Sequence, residues 1–277
     1  MREKSQSIRL CEEQPLLLAN LKWIQNRDNF LFCGRLFHLI TAFPPKMDAS
    51  LRYYLLTDQK GRIGILAFRG NLGLFACERR FSRKFAAHAA MLLTTEGDLI
   101  TTDEKSGKKL FWFAEQGLFS KASGDSFVLP AKILLRHTPF DKPGEFSFAP
   151  PEQKAIRDYF DLFRAGFSGF AGRTFDSFYA EQSHLLRHQN SALCGIYEGS
   201  LLLSGCAVDE SEEMRYLYDL TTKESHRGRD LAARLLFWVA KSDNRPLYLC
   251  AQDENLSAWY RHLGFETCGR WMQLYRR

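Results

Sequence analysis

The chain is 277 residues long, 45% hydrophobic and 25% charged, with 38 Lys and Arg against 32 Asp and Glu, a net charge of +6. This is the composition of a soluble globular protein long enough for two domains, and no run approaches the roughly 20 apolar residues that cross a bilayer. Seven dispersed cysteines, odd in number and without a Cys-x-x-Cys pair, fit reduced, buried thiols in a cytoplasmic protein better than a disulfide framework. The first apolar segment follows Glu12 and Glu13, which a secretory signal avoids. The positive excess attracts anionic ligands. No dense Lys/Arg block is interleaved with aromatics, so the charge reads as solvated surface and a nucleic-acid partner is not expected. Strongly salt-dependent association with DNA or RNA would overturn that reading.

Residues 8 to about 45 read as mixed helix and end at Pro44-Pro45. Strand-like runs Tyr53–Thr57 and Arg62–Arg69 flank Asp58-Gln59-Lys60-Gly61, a hairpin signal. Asn71–Ala76 is a third short strand. Helix is expected over Arg80–Leu93, a strand at Asp98–Thr101 and a short helix over Lys108–Leu118. Lys121–Lys142 mixes strand and loop. Asp141-Lys142-Pro143-Gly144 is the expected boundary, giving domains 1–142 and 143–277.

The second half opens with a strand at Glu145–Phe148. A helix starts at Pro150-Pro151-Glu152 and runs to about Ala165, and another runs from Thr174 or Asp176 to about His188. His184 and His188 lie one turn apart with no further ligand nearby, so no metal is expected. Ala192–Tyr197 and Leu201–Val208 form a hairpin, and Arg270–Tyr275 is the last strand. A faint repeat links the hairpin YYLLTDQKGRIGILAF to ALCGIYEGSLLLSGCAV, and LFWFAEQGL to LSAWYRHLGF, placing Phe113 opposite Tyr260 and Gly117 opposite Gly264. Chance similarity of two α/β segments explains this about as well.

The most informative segment is YDLTTKESHRGRDLAA, Tyr218–Ala233. The strand Met214–Thr222 runs into a polar turn, and a helix is expected to open on His226-Arg227-Gly228-Arg229. The first N–H groups of a helix lack internal partners and carry the positive end of its dipole, so they suit a phosphate. Arg227 and Arg229 add charge, and Gly228 allows close approach to the backbone. Taken alone, a solvated basic helix start explains the turn equally well. Farther on, a strand at Pro246–Ala251 precedes Asn255-Leu256-Ser257-Ala258-Trp259-Tyr260-Arg261-His262-Leu263-Gly264-Phe265. There Asn255 reads as an N-cap and Gly264 as a helix stop.

These two motifs in this order resemble the Gcn5-related N-acetyltransferase (GNAT) superfamily over about the last 130 residues. The resemblance implies an α/β (α+β) fold with a mixed, mostly antiparallel central sheet flanked by helices. The first half is then a candidate degenerate copy, because its turn, Cys77–Lys84, has no glycine. Arg227, Gly228 and Ala232 match the family's acetyl-CoA signature, while Asp230 stands where the family usually has glycine. Either the Asp230 carboxylate turns outward or CoA binding is weakened. Asn255, Ala258, Tyr260, Gly264 and Phe265 match the second motif, with an Asn-to-Tyr spacing of five.

The resemblance implies acetyl transfer from acetyl-CoA to an amine by direct attack. Leu220, Thr221 and Thr222 would pair with the amide arm of CoA, as an added strand does. Arg227, Gly228, Arg229, Asp230, Leu231 and Ala232 would hold the pyrophosphate, with Asn255 at the neighbouring helix. Tyr260 occupies the family's acid position, against the alternative of a core tyrosine. Asp219 has three open roles: proton acceptor, recognition of a cationic substrate, or backbone hydrogen bonding. Tyr216 and Tyr218 would project from the other face of the strand. The acceptor groove would lie in about 150–190, with Arg157, Asp158, Asp161, Arg164, Arg173 and Asp176 of mixed charge and Phe167, Phe170 and Phe175 as pocket or core. The acceptor is a small amine or a peptide or protein amine, and no membrane partner is expected. The alternative is a non-catalytic acyl-CoA-binding or partner-binding module on the same fold.

Overall fold

The computed structural model describes residues 6–25, 30–111, 119–130, 147–149, 155–167, 170 and 172–277. One order of elements occurs twice. The first round is β1 (Ser7–Leu10), α1 (Gln14–Gln25), α2 (Phe30–Ala42), β2 (Leu51–Thr57), β3 (Ile63–Arg69), β4 (Leu72–Cys77), α3 (Arg83–Ala90), the short α4 (Leu92–Glu96), β5 (Leu99–Asp103), α5 (Glu104–Leu110) and β6 (Phe119–Leu129). The second is β7 (Ser147–Ala149), α6 (Ile156–Gly166), α7 (Phe175–Arg187), β8 (Ser191–Glu198), β9 (Leu201–Glu210), β10 (Arg215–Thr222), α8 (Leu231–Lys241), β11 (Leu247–Cys250), α9 (Glu254–Leu263) and β12 (Glu266–Arg276). Apart from α4 the succession is the same, so the repeat glimpsed in two hairpins extends through the whole element order. The Trp112–Leu118 part of that repeat and the boundary expected at 141–144 lie outside the described residues.

Contacts divide the chain into two compact units, residues 1–126 with 268–277, and residues 127–267. The last strand, expected with the second half, is therefore built into the first unit. Trp271–Tyr275 of β12 pair antiparallel with Asp103–Leu99 of β5, and Arg270 reaches Asp125 at 3.0 Å and Glu104 at 3.4 Å. Conversely, Phe127 and Leu129 at the end of β6 belong to the core of the second unit.

In the first unit β1, β2, β3 and β4 are antiparallel neighbours, and β4 runs parallel to β5 over Leu72–Leu74. The β2–β3 turn forms where the sequence signalled it, because the Asp58 carboxylate accepts the N–H groups of Lys60 and Arg62, both at 2.9 Å. Helices α3 and α5 bury Phe81, Phe85, Ala86 and Leu110 against Phe68, Phe75 and Ile100.

The second unit repeats this sheet as β7-β8-β9-β10-β11, antiparallel except for β10–β11. Alternate strand residues serve opposite faces, as the two-residue period requires. Leu193, Leu202 and Ala207 pack with Tyr159, Phe160, Phe163 and Phe178 of α6 and α7. Cys194, Leu203, Cys206 and Val208 pack with Leu235, Leu236, Tyr260 and Leu263 of α8 and α9. Phe170 and Phe175, open between pocket and core in the sequence, belong to the first of these clusters. None of the seven cysteines forms a disulfide, and five of them are buried. Among the described residues no helix is long and apolar enough to cross a membrane.

Arg215 closes α8 from below. It is 2% exposed, and its guanidinium donates to the carbonyls of Val239 at 2.7 Å and Asp243 at 3.1 Å, where the helix dipole favours a cation. Beside it Arg245 pairs with Asp243 and Glu210. Hydrogen bonds from Arg245 lower the Asp243 pKa from 3.8 to about 2. Arg215→Met should therefore lose about 2–4 kcal/mol by removing its charge-assisted bonds to these carbonyls, measured by denaturant titration. Because the folded Asp243 pKa is the lower one, its contribution is complete above the unfolded value of 3.8 and is lost as the pH falls towards 2. Arg245→Gln should flatten the stability profile in that window, and an unchanged acid limb would refute the assignment.

Candidate functional site

The site is laid out by strand β10. Against β9, Tyr218 pairs with Ala207 and Thr221 with Gly205, so β10 holds one residue more than its partner over this stretch. The surplus sits at Asp219, in the left-handed region at φ 54°. An extra strand residue in this conformation is a β-bulge, and it resets the alternation of the strand. Tyr216 and Tyr218 stack at 6.0 Å, with Tyr218 against the α6–α7 core. Leu220 packs on the α8–α9 side. Thr221 turns to α6, where a Cβ on Gly166 would collide with its methyl group and come within 2.9 Å of its hydroxyl. Asp219 is half-buried. Its charge, a minor influence beside burial and the Cys194 thiol, helps push the Cys206 thiol up.

On its other side β10 pairs with β11 only at Arg215–Leu247 and Tyr216–Tyr248. Beyond Tyr216 the two strands part. Leu220, Thr221 and Thr222 thus end a strand whose β11-facing edge has no partner strand among the described residues.

The turn after β10 differs from the sequence expectation. Residues Glu224–His226 form a single 3-10 turn, and α8 begins at Leu231 rather than at His226. The chain reaches it through Gly228 at φ 76° and Asp230 at φ 58°. The left-handed conformation at position 230 explains why glycine suits it, and aspartate is among the few other residues that tolerate it. The Asp230 carbonyl accepts the N–H of Arg234 at 3.0 Å, but its side chain makes no capping bond. The first amides of α8 therefore have neither an intrahelical nor a side-chain acceptor. A Cβ on Gly228 would meet nothing within 4 Å, so that glycine serves the backbone angle rather than a tight fit.

Two clefts meet at Thr221, Thr222 and Arg227. One, of about 360 Å³, is lined by Leu220, Gly228, Asp230, Leu231, Ala232 and Trp259, among others. The larger, of about 600 Å³, lies towards α6 and includes Asp158, Asp161, Leu202 and Glu224. Arg227 sits in the walls of both, its Nε donating to the Thr222 carbonyl at 3.4 Å. Of the residues chosen from sequence, all from Leu220 to Ala232 except Arg229 thus line one cleft or both. Arg229 is exposed nearby. The arrangement fits a diphosphate: unshared helix amides and Arg227 at one end, and an unpaired strand edge leading away from it.

Helix α9 carries a second correction. Its N-cap is Asp253, whose carboxylate accepts the N–H of Leu256 at 2.8 Å, while Asn255 lies exposed in the first turn. Asp253 precedes Tyr260 by seven residues and Asn255 precedes it by five. Tyr260 is 5% exposed, its ring packed on Phe127, Trp259 and Phe265. It lines neither cleft; its neighbour Trp259 does. Burial pushes its phenol well up, with smaller contributions from Cys206 and Cys250. Sequence reading missed Trp259 and Gly166. A Trp beside the motif tyrosine was the available signal for the first, and nothing local marked the second. Among the described residues no group of acids, His and Cys is placed to hold a metal.

The corresponding place in the first unit is closed. Beyond the paired part of β4, the Thr102 hydroxyl donates to the Phe75 carbonyl at 2.7 Å, and the Cys77 and Ser106 side chains meet at 3.3 Å. The Lys109 ammonium donates to the carbonyls of Glu78 and Arg79. Asp58 accepts the N–H of Ser82 at 3.1 Å, and Ser82 caps α3 through the N–H of Phe85.

No protein-family model and no curated protein matches this sequence. Solved structures do. A tandem GNAT protein from the clavulanic acid biosynthesis pathway covers 98% of this chain and 98% of its own, at a TM-score of 0.63 and 14% identity. A Drosophila protein covers 99% of each chain at a TM-score of 0.66 and 12% identity. A Gcn5-related N-acetyltransferase from Sphaerobacter thermophilus covers 97% and 94% at 0.63 and 11%. The chain has the fold of the GNAT superfamily, in tandem form.

The turn geometry makes a direct prediction. Asp230→Val should cost about 1–2 kcal/mol, because a β-branched residue is forced into the left-handed region, whereas Asp230→Gly should match or exceed the parent in chemical denaturation. Equal destabilisation by both would mean that the Asp230 side chain, not its backbone angle, matters here.

Proposed function

We propose that the second unit binds acetyl-CoA and transfers its acetyl group to an amine by direct attack. The observation that carries this reading is the parting of β10 from β11 directly beside helix amides that have no acceptor. When bound, acetyl-CoA supplies the activated acetyl group as a thioester. The unpaired edge of Leu220–Thr222 offers backbone donors and acceptors to an amide-bearing chain, as to an added strand. Arg227, Arg229 and the α8 amides supply positive charge for a diphosphate. Asp230 opposes this with a carboxylate at the same turn. Holding both reactants in the wedge replaces a bimolecular encounter by an oriented one, which lowers the barrier by several kcal/mol.

A tyrosine phenol is protonated at neutral pH, and burial raises the Tyr260 pKa further, so it does not serve as a base. In this reading its OH donates a hydrogen bond to the sulfur of the departing thiolate and stabilises its charge. Asp219, held in the bulge but lining neither cleft, is the candidate to take the proton of the attacking amine. Recognition of a cationic substrate and a purely structural role stay open for it. The acceptor class is an amine, small or carried by a peptide or protein, and free buried thiols suit a cytoplasmic location.

A second reading rests on one observation: Tyr260 lies in the core and lines neither cleft. That favours a non-catalytic acyl-CoA-binding or partner-binding module, and the two readings part on turnover. Calorimetry with acetyl-CoA should give one site per chain with micromolar affinity, since the first unit's turn is closed. Arg227→Ala should weaken it by about tenfold or more, the loss of a charge-assisted bond. Tyr260→Phe should lower turnover by about 100-fold on an accepted amine while leaving acetyl-CoA affinity nearly unchanged. No heat and no thermal shift with acetyl-CoA would end both cofactor readings, and two sites per chain would refute the closed turn.

A further inference from the structure

We infer that the first unit carries a binding face for the sugar–phosphate backbone of a nucleic acid, formed where the β2–β3 turn, the segment after β4 and helix α5 meet. This inference is independent of acetyl-CoA. The chain's modest charge conceals a partition: the first unit holds 22 Lys and Arg against 13 Asp and Glu, the second 16 against 19. Such asymmetry between parts of one chain is a mark of polyanion binding.

The fold gathers much of this charge at one place. Asp58 bonds the backbone of Lys60, Arg62 and Ser82, and Lys109 bonds the carbonyls of Glu78 and Arg79. Those bonds tie three segments, 58–62, 78–84 and 105–109, into one surface. From it project exposed Lys60, Arg79, Arg80, Arg83, Lys84 and Lys105. Among the described residues the neighbouring acids are engaged. Asp58 and Glu78 are 1% and 8% exposed and accept backbone N–H bonds, while Glu104 pairs with Lys108 and Arg270.

The form of the surface selects the ligand. Ser82 and Asp58 already occupy amides of the α3 turn, so the cations act from side chains spread over three segments. That suits a line of phosphates, to which each Lys or Arg contributes through counterion release. None of the exposed large apolar residues falls in these segments. A bilayer-binding surface inserts such residues, and a protein interface is centred on apolar and aromatic anchors. Half of the six cations are arginines, the residue best matched to phosphate. Four of the six cations stand together in sequence at Arg79–Lys84, and the fold brings Lys60 and Lys105 beside them.

The test uses the full-length protein and fluorescence anisotropy with a labelled RNA hairpin and, separately, a labelled DNA duplex. Binding to at least one should weaken about 100-fold or more between about 50 and 200 mM salt. R79E/R80E/R83E/K84E should weaken it at least about 30-fold at the lower salt, and K60E/K105E, from the other two segments, at least about fivefold. Lys22→Glu, on α1, should leave it unchanged. The second variant keeps the test valid should the quadruple variant fold poorly. Preference between the probes identifies RNA or DNA as the source of the backbone. No binding to either probe at the lower salt, or binding that both folded variants retain, would overturn the inference. So would capture by phosphatidylserine vesicles without nucleic-acid binding.

Discussion

Strand β10 must fit eight residues into a ladder that its partner β9 runs with one fewer, and the excess is absorbed at Asp219. Every other part of the second unit's site follows from where that surplus lies. Without it Thr221 would share the face of Leu217, in the core under α8, and Leu220 would face α6. With it, Thr221 meets Gly166 at the end of α6, and Leu220 stays in the core. The strand leaves its parallel neighbour at the same stretch, and the resulting wedge opens onto the start of α8. Aspartate suits the position because its short polar side chain tolerates left-handed backbone.

The two units show how one scaffold can hold a site open or shut with few changes. Both present a strand, a turn and a helix in the same order. In the second unit the turn passes through two left-handed residues, and the amides behind them have no protein acceptor. In the first, Ser82 caps the helix, Asp58 takes the preceding amide, and Lys109 reaches the carbonyls of the turn. Each of these partners comes from the chain itself. A ligand there would have to displace buried polar groups from good hydrogen bonds, at a cost of about 1–3 kcal/mol for each group left unsatisfied.

Much of this was legible in the sequence. Hairpins announced themselves through Asp58–Gly61 and Glu198–Ser200, because turn residues act locally. The helix after Thr174 began where its cap stood, and Gly264 ended α9. What failed did so for physical reasons. The start of α8 was placed too early because basic residues mimic a helix start, while the left-handed angles at Gly228 and Asp230 have no sequence mark beyond residue type. Asn255 was read as the cap, whereas Asp253, a residue type that caps equally well, holds that place. The bulge was invisible, since register depends on the partner strand. The same limit hid the extent of the basic face, since tertiary hydrogen bonds bring Lys60 and Lys105 beside Arg79–Lys84. The burial of Tyr260 also follows from packing and not from its motif.

The last ten residues belong to the first unit, where β12 lies along β5. Synthesis runs the other way. As the chain emerges, β5 is made some 160 residues before its neighbour and must wait with one edge bare, a state that invites stray pairing. Of the two units, the one begun earlier is thus completed later, and a lesion that removes β12 would strike the unit whose other strands lie farthest from it in sequence.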